Sequence, residues 1–371
     1  MKKKILFFIN TLNGGGAEKV LVDLVNNLDK DKYDVTVQTI FNIGVYQNSL
    51  DKSIRYKTIF SKYNRIVAYI FIKLIYYKIG LRHIYKKYIN DNYDIEVAFL
   101  EGVPTKLLSI SPNPNKYAWV HIDLYNYYGH EKIFRNVEEN SVCYQRYKKI
   151  ICVSESAKKG FKRRFGFDDN VIVQYNPVDE KKIIELAEEN VDEISISDRL
   201  KIITVGRLTK QKGYDRLLNV VNRLKNEGFD FELWILGEGE DRVLLEGIIR
   251  EKDLGSCVTL YGFQRNPYKF MRSADLFVCS SIAEGFSTVV TEATILGLPT
   301  VTTDCSGMVE IFGDQEYGMI VNNSVEGLYG GLKKMLTDKK LIEFYRTKAL
   351  ERGKMFKLNK TIKDLEGIFW G

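Results

Sequence analysis

Residues 280–292 read SSIAEGFSTVVTE and directly follow the apolar run 274–279. The run predicts a buried strand, Gly285 a turn, and the residues from Ser287 the start of a helix. In an open α/β sheet, ligands bind outside the carboxyl ends of the strands. This stretch therefore predicts an α/β fold and places a ligand site at this edge of a sheet.

Two carboxylates flank the turn: Glu284 in the loop and Glu292 in what we expect to be the first turn of the helix. With seven residues between them, they are suited to accept hydrogen bonds from hydroxyls on two parts of one ligand. The helix start adds free backbone N–H groups and the positive end of a helix dipole, both suited to phosphate. The combination predicts a ligand with two sugars and a phosphate between them.

Strand-like runs alternate with helical patterns along the rest of the chain, which is typical of parallel βαβ units. The break Asn176-Pro177 and the polar stretch 179–198 separate two groups of such runs. The predicted strands are 4–9, 35–40, 54–60, 95–100, 117–122, 150–153 and 171–174 before the break, and 201–205, 231–236, 257–261, 276–279, 299–302 and 319–321 after it. We therefore predict two Rossmann-like, doubly wound α/β domains, 1–180 and 181–355, facing each other across a cleft, followed by a C-terminal segment 356–371.

The composition is that of an ordinary globular protein, with 45% apolar and 28% charged residues. The length of 371 residues is enough for two domains. Five cysteines lack a C-x-x-C spacing, a pattern that favours reduced thiols in a cytosolic protein over disulfides or a zinc site. The N-terminal apolar run 5–9 is too short for a signal peptide, and no run approaches the ~20 apolar residues of a membrane span. We therefore expect a cytoplasmic protein.

Positive charge is concentrated in the first half of the chain. Residues 1–178 carry 28 Lys and Arg against 17 Asp and Glu, and the segment 52–90 carries ten Lys and Arg with no Asp or Glu. Within it, aromatic and aliphatic residues at helical spacing predict a helix over 63–89. This helix fits a surface attracted to anionic lipid, or equally a domain helix with one core face and one basic solvated face. No nucleic-acid-binding motif accompanies it.

A glycine-rich turn, Asn-Gly-Gly-Gly-Ala-Glu at 13–18, follows the first predicted strand. Glycines let the backbone approach a ligand and leave N–H groups pointing at an anion. Lys19 stands where a dinucleotide fingerprint needs its third glycine, so the NAD pattern fails. Taken alone, the turn is explained equally well by a tight strand–helix connection.

The loop after the first strand of the second half occupies the same position in the topology. It begins with Gly206-Arg207 and ends with Lys212-Gly213, so a planar guanidinium and a point ammonium lie five residues apart. Both groups are suited to bind a diphosphate. The alternative interpretation is that this segment is a basic loop exposed to solvent. The next strand leads into 237–239, where Gly239 allows a nucleotide base against the backbone or simply a βα turn.

One of the three histidines, His121, ends a predicted strand of the first domain. A histidine at a strand end is more often structural than catalytic. This one falls at the same sheet edge as the glycine turn, which raises the expectation that it has a function.

Together these motifs resemble the GT-B fold retaining glycosyltransferases of the group 1 (GT4-type) family, nearly end to end. The motifs of the second domain are the most specific: Gly206-Arg207, Lys212-Gly213, Leu236-Gly237-Glu238-Gly239, Gly262-Phe263, Ser281 with Glu284-Gly285-Phe286, Glu292-Ala293, Gly297-Leu298-Pro299, and Ser306-Gly307 with Glu310. The first domain, which sets the acceptor in this family, matches only through 14–18 and His121. The family fold implies that the C-terminal helix crosses back onto the first domain.

The resemblance implies a role for each matching residue. Arg207 and Lys212 would neutralise the donor diphosphate, Glu284 would bind hydroxyls of the donor sugar, and Glu292 would bind the ribose. His121 would contact the donor sugar near the reacting carbon, so Arg207, Lys212, Glu284 and His121 are the expected catalytic residues. The expected donor-binding positions are Gly15, Gly16, Gly206, Gly239, Gly285, Phe286, Ser287 and Glu292.

The resemblance also implies the chemistry. A hexose or N-acetylhexosamine would move from a nucleotide diphosphate-sugar, most commonly a UDP-sugar, with its configuration retained. The acceptor hydroxyl would attack the face from which the diphosphate departs, although a double displacement stays open. No metal cofactor is implied, because Arg207 and Lys212 take over the role of the cation; the D-x-D string 29–31 lies in a polar turn away from the strand ends.

We expect the acceptor to be a lipid-linked saccharide of bacterial surface polysaccharide biosynthesis, of the capsule or O-antigen type. The protein would then associate peripherally with the inner face of the cell membrane, and the segment 52–90 would meet its anionic surface. A soluble or protein acceptor is the first alternative, and a non-catalytic nucleotide-sugar-binding protein is the second.

Overall fold

The computed structural model describes residues 2–126, 132–191 and 197–370, and it separates into two compact units. Unit 1 comprises Met1–Pro177 with Asn359–Gly371, and unit 2 comprises Val178–Leu358. These divisions fall near the expected boundaries after residues 180 and 355. One part of the expected linker, 192–196, lies outside the described residues.

Unit 1 is built on a parallel sheet of seven strands. They are β1 (Lys3–Ile9), β2 (Tyr33–Phe41), β3 (Arg55–Phe60), β4 (Ile95–Ala98), β5 (Lys116–Val120), β6 (Lys149–Cys152) and β7 (Val171–Val173). Their order in the sheet is β3-β2-β1-β4-β5-β6-β7. Residues 5–9 of β1 are fully buried. Helices cover both faces of such a sheet, which is why this strand reads as an unbroken apolar run.

The helices of unit 1 include one departure from the sequence prediction. Before the final helix, they are α1 (Gly16–Asn27), α2 (Arg65–Tyr76), α3 (Leu81–Tyr88), α4 (Val103–Leu108), α5 (Val137–Tyr144) and α6 (Glu155–Phe165). A single helix over 63–89 is wrong, because Gly80 adopts a left-handed φ of 65° and separates α2 from α3. Asn64 caps α2 by accepting the N–H groups of Ile66 at 2.9 Å and Val67 at 3.1 Å.

Unit 2 repeats the architecture with six parallel strands. They are β8 (Leu200–Val205), β9 (Phe231–Leu236), β10 (Val258–Gly262), β11 (Leu276–Cys279), β12 (Thr300–Thr303) and β13 (Met319–Val321), in the order β10-β9-β8-β11-β12-β13. The helices are α7 (Glu180–Ala187), α8 (Tyr214–Asn226), α9 (Arg242–Glu251), α10 (Tyr268–Arg272), α11 (Thr288–Ile295), α12 (Met308–Phe312), α13 (Val325–Thr337) and α14 (Lys339–Gly353). Across the described ranges of both units, no helix has the length and apolar character needed to cross a bilayer.

The predicted fold class, α/β with two doubly wound parallel sheets, is confirmed. Each predicted strand is present with its ends shifted by no more than two residues. Both sheets change direction beside their first strand: β1 lies between β2 and β4, and β8 lies between β9 and β11. Ligands of doubly wound folds bind at such switch points, outside the carboxyl ends of the strands. The predicted site residues lie at these two edges.

The last helix, α15 (Leu358–Trp370), follows unit 2 in the chain but packs within unit 1. The ring of Phe369 lies edge-on to those of Phe7 and Tyr117, with centroids 6.3 and 5.4 Å away. Glu366 accepts a hydrogen bond from the ammonium of Lys32 at 3.1 Å. An apolar contact and a charged contact therefore fix this helix to unit 1.

Candidate active site at the carboxyl ends of the unit 2 strands

A buried ion pair joins the two loops that leave the switch point of unit 2. Lys212 Nζ lies 2.6 Å from Glu284 Oε1, and the side chains are only 20% and 11% exposed. The hydroxyl of Ser281 donates to the same oxygen at 2.6 Å. Burial acts to lower the pKa of Lys212, but the carboxylate of Glu284 outweighs it, and the pKa lies above its ordinary value. The ammonium is therefore charged throughout the neutral range.

Lys212 is positioned by a short turn of 3-10 helix, Lys210–Lys212, that follows β8. Gly213 ends this turn with a left-handed φ of 64° and also begins α8. A Cβ at Gly213 would lie 2.5 Å from the carbonyl oxygen of Ser280, so only glycine lets the two loops approach this closely. Ser280 in turn donates its hydroxyl to the carbonyl of Lys212 at 2.8 Å.

Arg216 fixes the loop that follows β11, a role that was not predicted from the sequence. Its guanidinium donates to the carbonyl of Ser280 from Nε at 2.9 Å and from Nη2 at 2.5 Å, and to the carbonyl of Ser281 from Nη2 at 2.7 Å. Gln211 adds a bond from its amide to the carbonyl of Ala283 at 2.8 Å. One signal was present in the sequence: a cation in the first turn of a helix opposes the helix dipole, so Arg216 needs a partner elsewhere.

Arg207 lies in the same loop as Lys212, directly after β8, and is exposed. The neighbouring glycines have packing roles. A Cβ at Gly206 would lie 2.8 Å from the Tyr214 hydroxyl, and one at Gly239 would lie 2.2 Å from the carbonyl oxygen of Leu208. The loops after β8 and β9 therefore pack backbone against backbone, and this accounts for Gly239 without a ligand.

Glu292 lies further along its helix than the sequence predicted. Since α11 begins at Thr288, Glu292 falls in its second turn, and the expected place in the first turn is wrong. Its carboxylate is buried and accepts a hydrogen bond from the hydroxyl of Tyr268 at 3.1 Å. Tyr268, at the start of α10, was not identified from the sequence. The tyrosine fixes one carboxylate oxygen and so orients the group.

The helix that the sequence predicted near Ser287 is present as α11, which begins at Thr288. Ser287 is the N-cap residue, but its side chain makes no capping bond. In the described part of the chain its buried hydroxyl has no hydrogen-bond partner. Gly285 and Phe286 lead into this helix and are both buried. A polar group buried without a partner, at the positive end of a helix, fits a site that an anion completes.

In unit 1, the predicted residues lie at the corresponding sheet edge. Gly15 is the N-cap of α1 and Gly16 is its first residue. His121 follows β5, with its ring 4.8 Å from that of Phe99, and its Nε2 is buried. Burial lowers the pKa of His121 from 6.5 to about 3, so the imidazole is neutral near pH 7. Its backbone N–H donates to the carboxylate of Glu101, a buried residue after β4 that the sequence analysis did not single out.

Two protein families match the chain, one over each half. Residues 14–182 match the family described as Glycosyltransferase Family 4. Residues 187–352 match the family described as Glycosyl transferases group 1, and this range contains the Lys212–Glu284 pair.

Curated glycosyltransferases are similar to this chain, some over half of its length and one over nearly all of it. The Campylobacter jejuni N-acetylgalactosamine-N,N'-diacetylbacillosaminyl-diphospho-undecaprenol 4-alpha-N-acetylgalactosaminyltransferase is 38% identical over 194 residues, which cover 52% of this chain and 51% of that protein. The chain thus spans about half the length of this and another curated relative. An uncharacterized glycosyltransferase of Haemophilus influenzae is 25% identical over 99% of this chain and 100% of its own.

A solved structure matches over the full length of both chains. The Anabaena protein HepE, crystallised with UDP and glucose, superimposes with a TM-score of 0.78 at 16% identity. At this identity, the similarity is evidence for the fold.

Proposed function

Because the chain belongs to the group 1 (GT4-type) glycosyltransferases, we propose that it transfers a hexose or N-acetylhexosamine from a nucleotide diphosphate-sugar to a saccharide acceptor, with retention of configuration. The observation that carries this proposal is the Lys212–Glu284 pair at the carboxyl ends of β8 and β11. UDP is the nucleotide we expect, and the UDP bound to the structurally similar Anabaena protein supports that choice.

The diphosphate would be bound from two sides. Lys212 supplies a charged, largely buried ammonium, and Arg207 adds an exposed guanidinium on the same loop. The start of α11 adds backbone N–H groups and the hydroxyl of Ser287. Charge develops on the diphosphate as the glycosidic bond breaks. Fixed donors of this kind stabilise such charge more effectively than water does, because they need no reorganisation.

Glu284 would bind hydroxyls of the donor sugar. Its Oε1 accepts hydrogen bonds from both Lys212 and Ser281. These contacts hold the carboxylate in one orientation before a ligand arrives, and they keep Lys212 within reach of both the sugar and the phosphate. Pre-orientation matters, because a sugar hydroxyl is recognised by the direction of its hydrogen bond as well as by charge.

Glu292 would accept hydrogen bonds from the ribose, oriented by its bond from Tyr268. The ring of Phe286 and the backbone of Gly285 precede the helix that carries it. The roles of His121, Gly15 and Gly16 in unit 1 stay predictions from the family resemblance, as do those of Gly206 and Gly239.

In the proposed reaction, the bond between the anomeric carbon and the diphosphate oxygen breaks as the acceptor hydroxyl bonds to the same face of the sugar. The departing diphosphate takes the acceptor's proton. This scheme asks the protein for orientation and for charge stabilisation, and Lys212, Arg207 and Glu284 can supply both.

We also propose that no metal cofactor is needed. Asp29, the first acid of the D-x-D string, pairs with Lys32 at 3.0 Å in the turn between α1 and β2. That pairing gives it a structural role within unit 1. Transfer that persists in excess EDTA would support this proposal, and a loss restored by Mn²⁺ or Mg²⁺ would contradict it.

For the acceptor, we propose a lipid-linked saccharide in the synthesis of a bacterial surface polysaccharide. The Campylobacter relative, whose name gives it an undecaprenol diphosphate-linked substrate, supports this class of acceptor. The protein would work at the inner face of the membrane. Its five cysteines are all buried free thiols, which fits a reducing compartment.

The proposal is tested with a panel of UDP-, GDP-, ADP- and CMP-sugars, read first by thermal shift. A donor at 100 times its Kd stabilises the folded protein by about 2.7 kcal/mol, which is readily measured. We expect a UDP-sugar to give the largest shift. With a lipid-linked acceptor, NMR of the product then gives the anomeric configuration. No shift with any donor would contradict the proposed function, and an inverted product would contradict retention.

A further inference from the structure

We propose that the exposed side of α2 binds an anionic lipid surface. This side and the exposed apolar residues that flank the helix are here called the α2 outer face, which consists of Ile66, Tyr69 and Ile70 on α2 and Tyr63, Tyr77 and Ile79 beside it. The purpose of such binding, access to a lipid-linked acceptor, rests on the proposed function. The binding itself is a property of unit 1 and can be measured with neither donor nor acceptor present.

The α2 outer face is apolar where a domain helix is normally polar. Ile66, Tyr69 and Ile70 are 70%, 63% and 51% exposed and fall on one stripe of the helix. The opposite stripe, with Phe71 and Ile75, is buried in the core of unit 1. The helix is therefore apolar on both sides but covered on only one. Large apolar side chains on the exposed side favour an interfacial helix over a domain helix with one core face and one basic solvated face.

Cations surround the α2 outer face. Lys62, Arg65, Lys73 and Lys78 are all exposed, and no Asp or Glu occurs between residues 52 and 90. The ammonium of Lys73 lies 5.5 to 5.9 Å from the ring centres of three tyrosines, 69, 76 and 77. At a membrane interface, tyrosine and lysine can both keep their apolar part toward the hydrocarbon and their polar end in the aqueous headgroup region.

A buried charge cluster fixes the end of α2 to the rest of unit 1. Glu139 on α5 is paired with Lys106 at 2.9 Å and with Lys78 at 3.0 Å. The ammonium of Lys106 also donates to the carbonyl of Tyr76 at 3.1 Å. Since Lys106 and Glu139 are buried, the pair between them is shielded from water, whereas Lys78 reaches Glu139 from the exposed side. The α2 outer face is thus presented on a fixed element.

The charges distinguish a lipid surface from a second copy of the chain. A two-fold symmetric dimer would place this face against itself and bring Lys62, Arg65 and Lys73 near their own counterparts. An anionic bilayer instead offers opposite charge around the rim and a hydrocarbon boundary for the isoleucines. The partner that fits both properties is a membrane containing acidic phospholipid.

The experiment measures co-sedimentation of the full chain with vesicles of phosphatidylcholine, with and without phosphatidylglycerol, at low and moderate salt. We expect binding only to the anionic vesicles, and weaker binding at the higher salt. K62Q/R65Q should lower the partition coefficient roughly twenty-five-fold, the product of about fivefold for each of the two cations. I66S/I70S should weaken it roughly tenfold or more.

Matched controls lie in unit 2. Lys339 and Lys340 are exposed at the start of α14, and Val243 and Leu244 are exposed in the first turn of α9. K339Q/K340Q and V243S/L244S should bind as the unmodified chain does, and circular dichroism shows whether every variant is folded.

Three outcomes would overturn the proposal: no binding to anionic vesicles, binding that the α2 variants leave unchanged, or a dimer in light scattering that I66S/I70S dissociates. A donor-induced thermal shift in the same samples shows separately whether the proposed function stands.

Discussion

Lys212 and Glu284 are 72 residues apart in the chain, yet their charged atoms lie 2.6 Å apart at one edge of the unit 2 sheet. Each follows a strand that borders the switch point, Lys212 after β8 and Glu284 after β11. The pair joins a group suited to phosphate with a group suited to sugar hydroxyls. In the proposed function, this pair would lie where the diphosphate and the sugar of one donor meet.

Replacing Lys212 with alanine should lower kcat/KM about hundredfold to thousandfold, because it removes a fixed cation from the developing charge. Lys210 provides the control: it is exposed in the same 3-10 turn, two residues away. K210A should retain the kcat/KM of the unmodified protein. Steady-state kinetics with the preferred donor distinguish them, and an equal loss in both variants would show that Lys212 contributes only to the general charge of the loop.

The conservative change E284Q separates sugar recognition from phosphate binding. Glutamine preserves size but removes the charge that holds Lys212. Lys212 is then free for phosphate alone, so UDP should bind at least as tightly as before, while transfer falls by about two orders of magnitude. Calorimetry with UDP and a transfer assay measure the two effects. E240Q, at an exposed position after β9, should change neither. Loss of UDP binding in E284Q would contradict the assigned role.

The sequence predicted the fold because buried parallel strands leave continuous apolar runs. β1 and β11 are such runs, and their observed bounds match the predicted ones closely. The division between α2 and α3 could not be predicted in the same way. Apolar residues continue at helical spacing through Gly80, and only the left-handed backbone there shows the break.

The site was predicted as residues but not as contacts. Lys212 and Glu284 were each expected, but their pairing depends on β8 lying beside β11. The order of strands in a sheet cannot be predicted from a single sequence. Arg216 and Tyr268 act through bonds to Ser280 and Glu292, 64 and 24 residues away. Long-range bonds of this kind have no local sequence signature.

Arg216 provides a test of how the site is held together. R216A removes the donor of three hydrogen bonds to the carbonyls of Ser280 and Ser281. Loss of a charged donor that leaves carbonyls unsatisfied should lower the free energy of unfolding of unit 2 by about 2–4 kcal/mol. Urea denaturation followed by tryptophan fluorescence reports this, since Trp234 lies in the unit 2 sheet. R250A, on the exposed side of α9, is the control and should unfold as the unmodified chain does.

The buried imidazole of His121 should make the stability of unit 1 depend on pH. Its pKa is lowered to about 3 in the folded protein, against 6.5 ordinarily, so in acid the unfolded chain takes up this proton first. The stability gained from a neutral His121 is therefore complete above pH 6.5 and is lost progressively as the pH falls toward about 3. The loss approaches about 1.4 kcal/mol per pH unit within that window.

H121F keeps a ring beside Phe99 and Trp119 but cannot titrate. Relative to H121F, the unmodified protein should weaken as the pH falls, whereas H83Q, at an exposed position on α3, should follow the unmodified protein. Urea denaturation between pH 3 and 6.5 measures the free energy of unfolding of each variant. If this free energy changes with pH in parallel for H121F and the unmodified protein, the prediction for His121 is wrong.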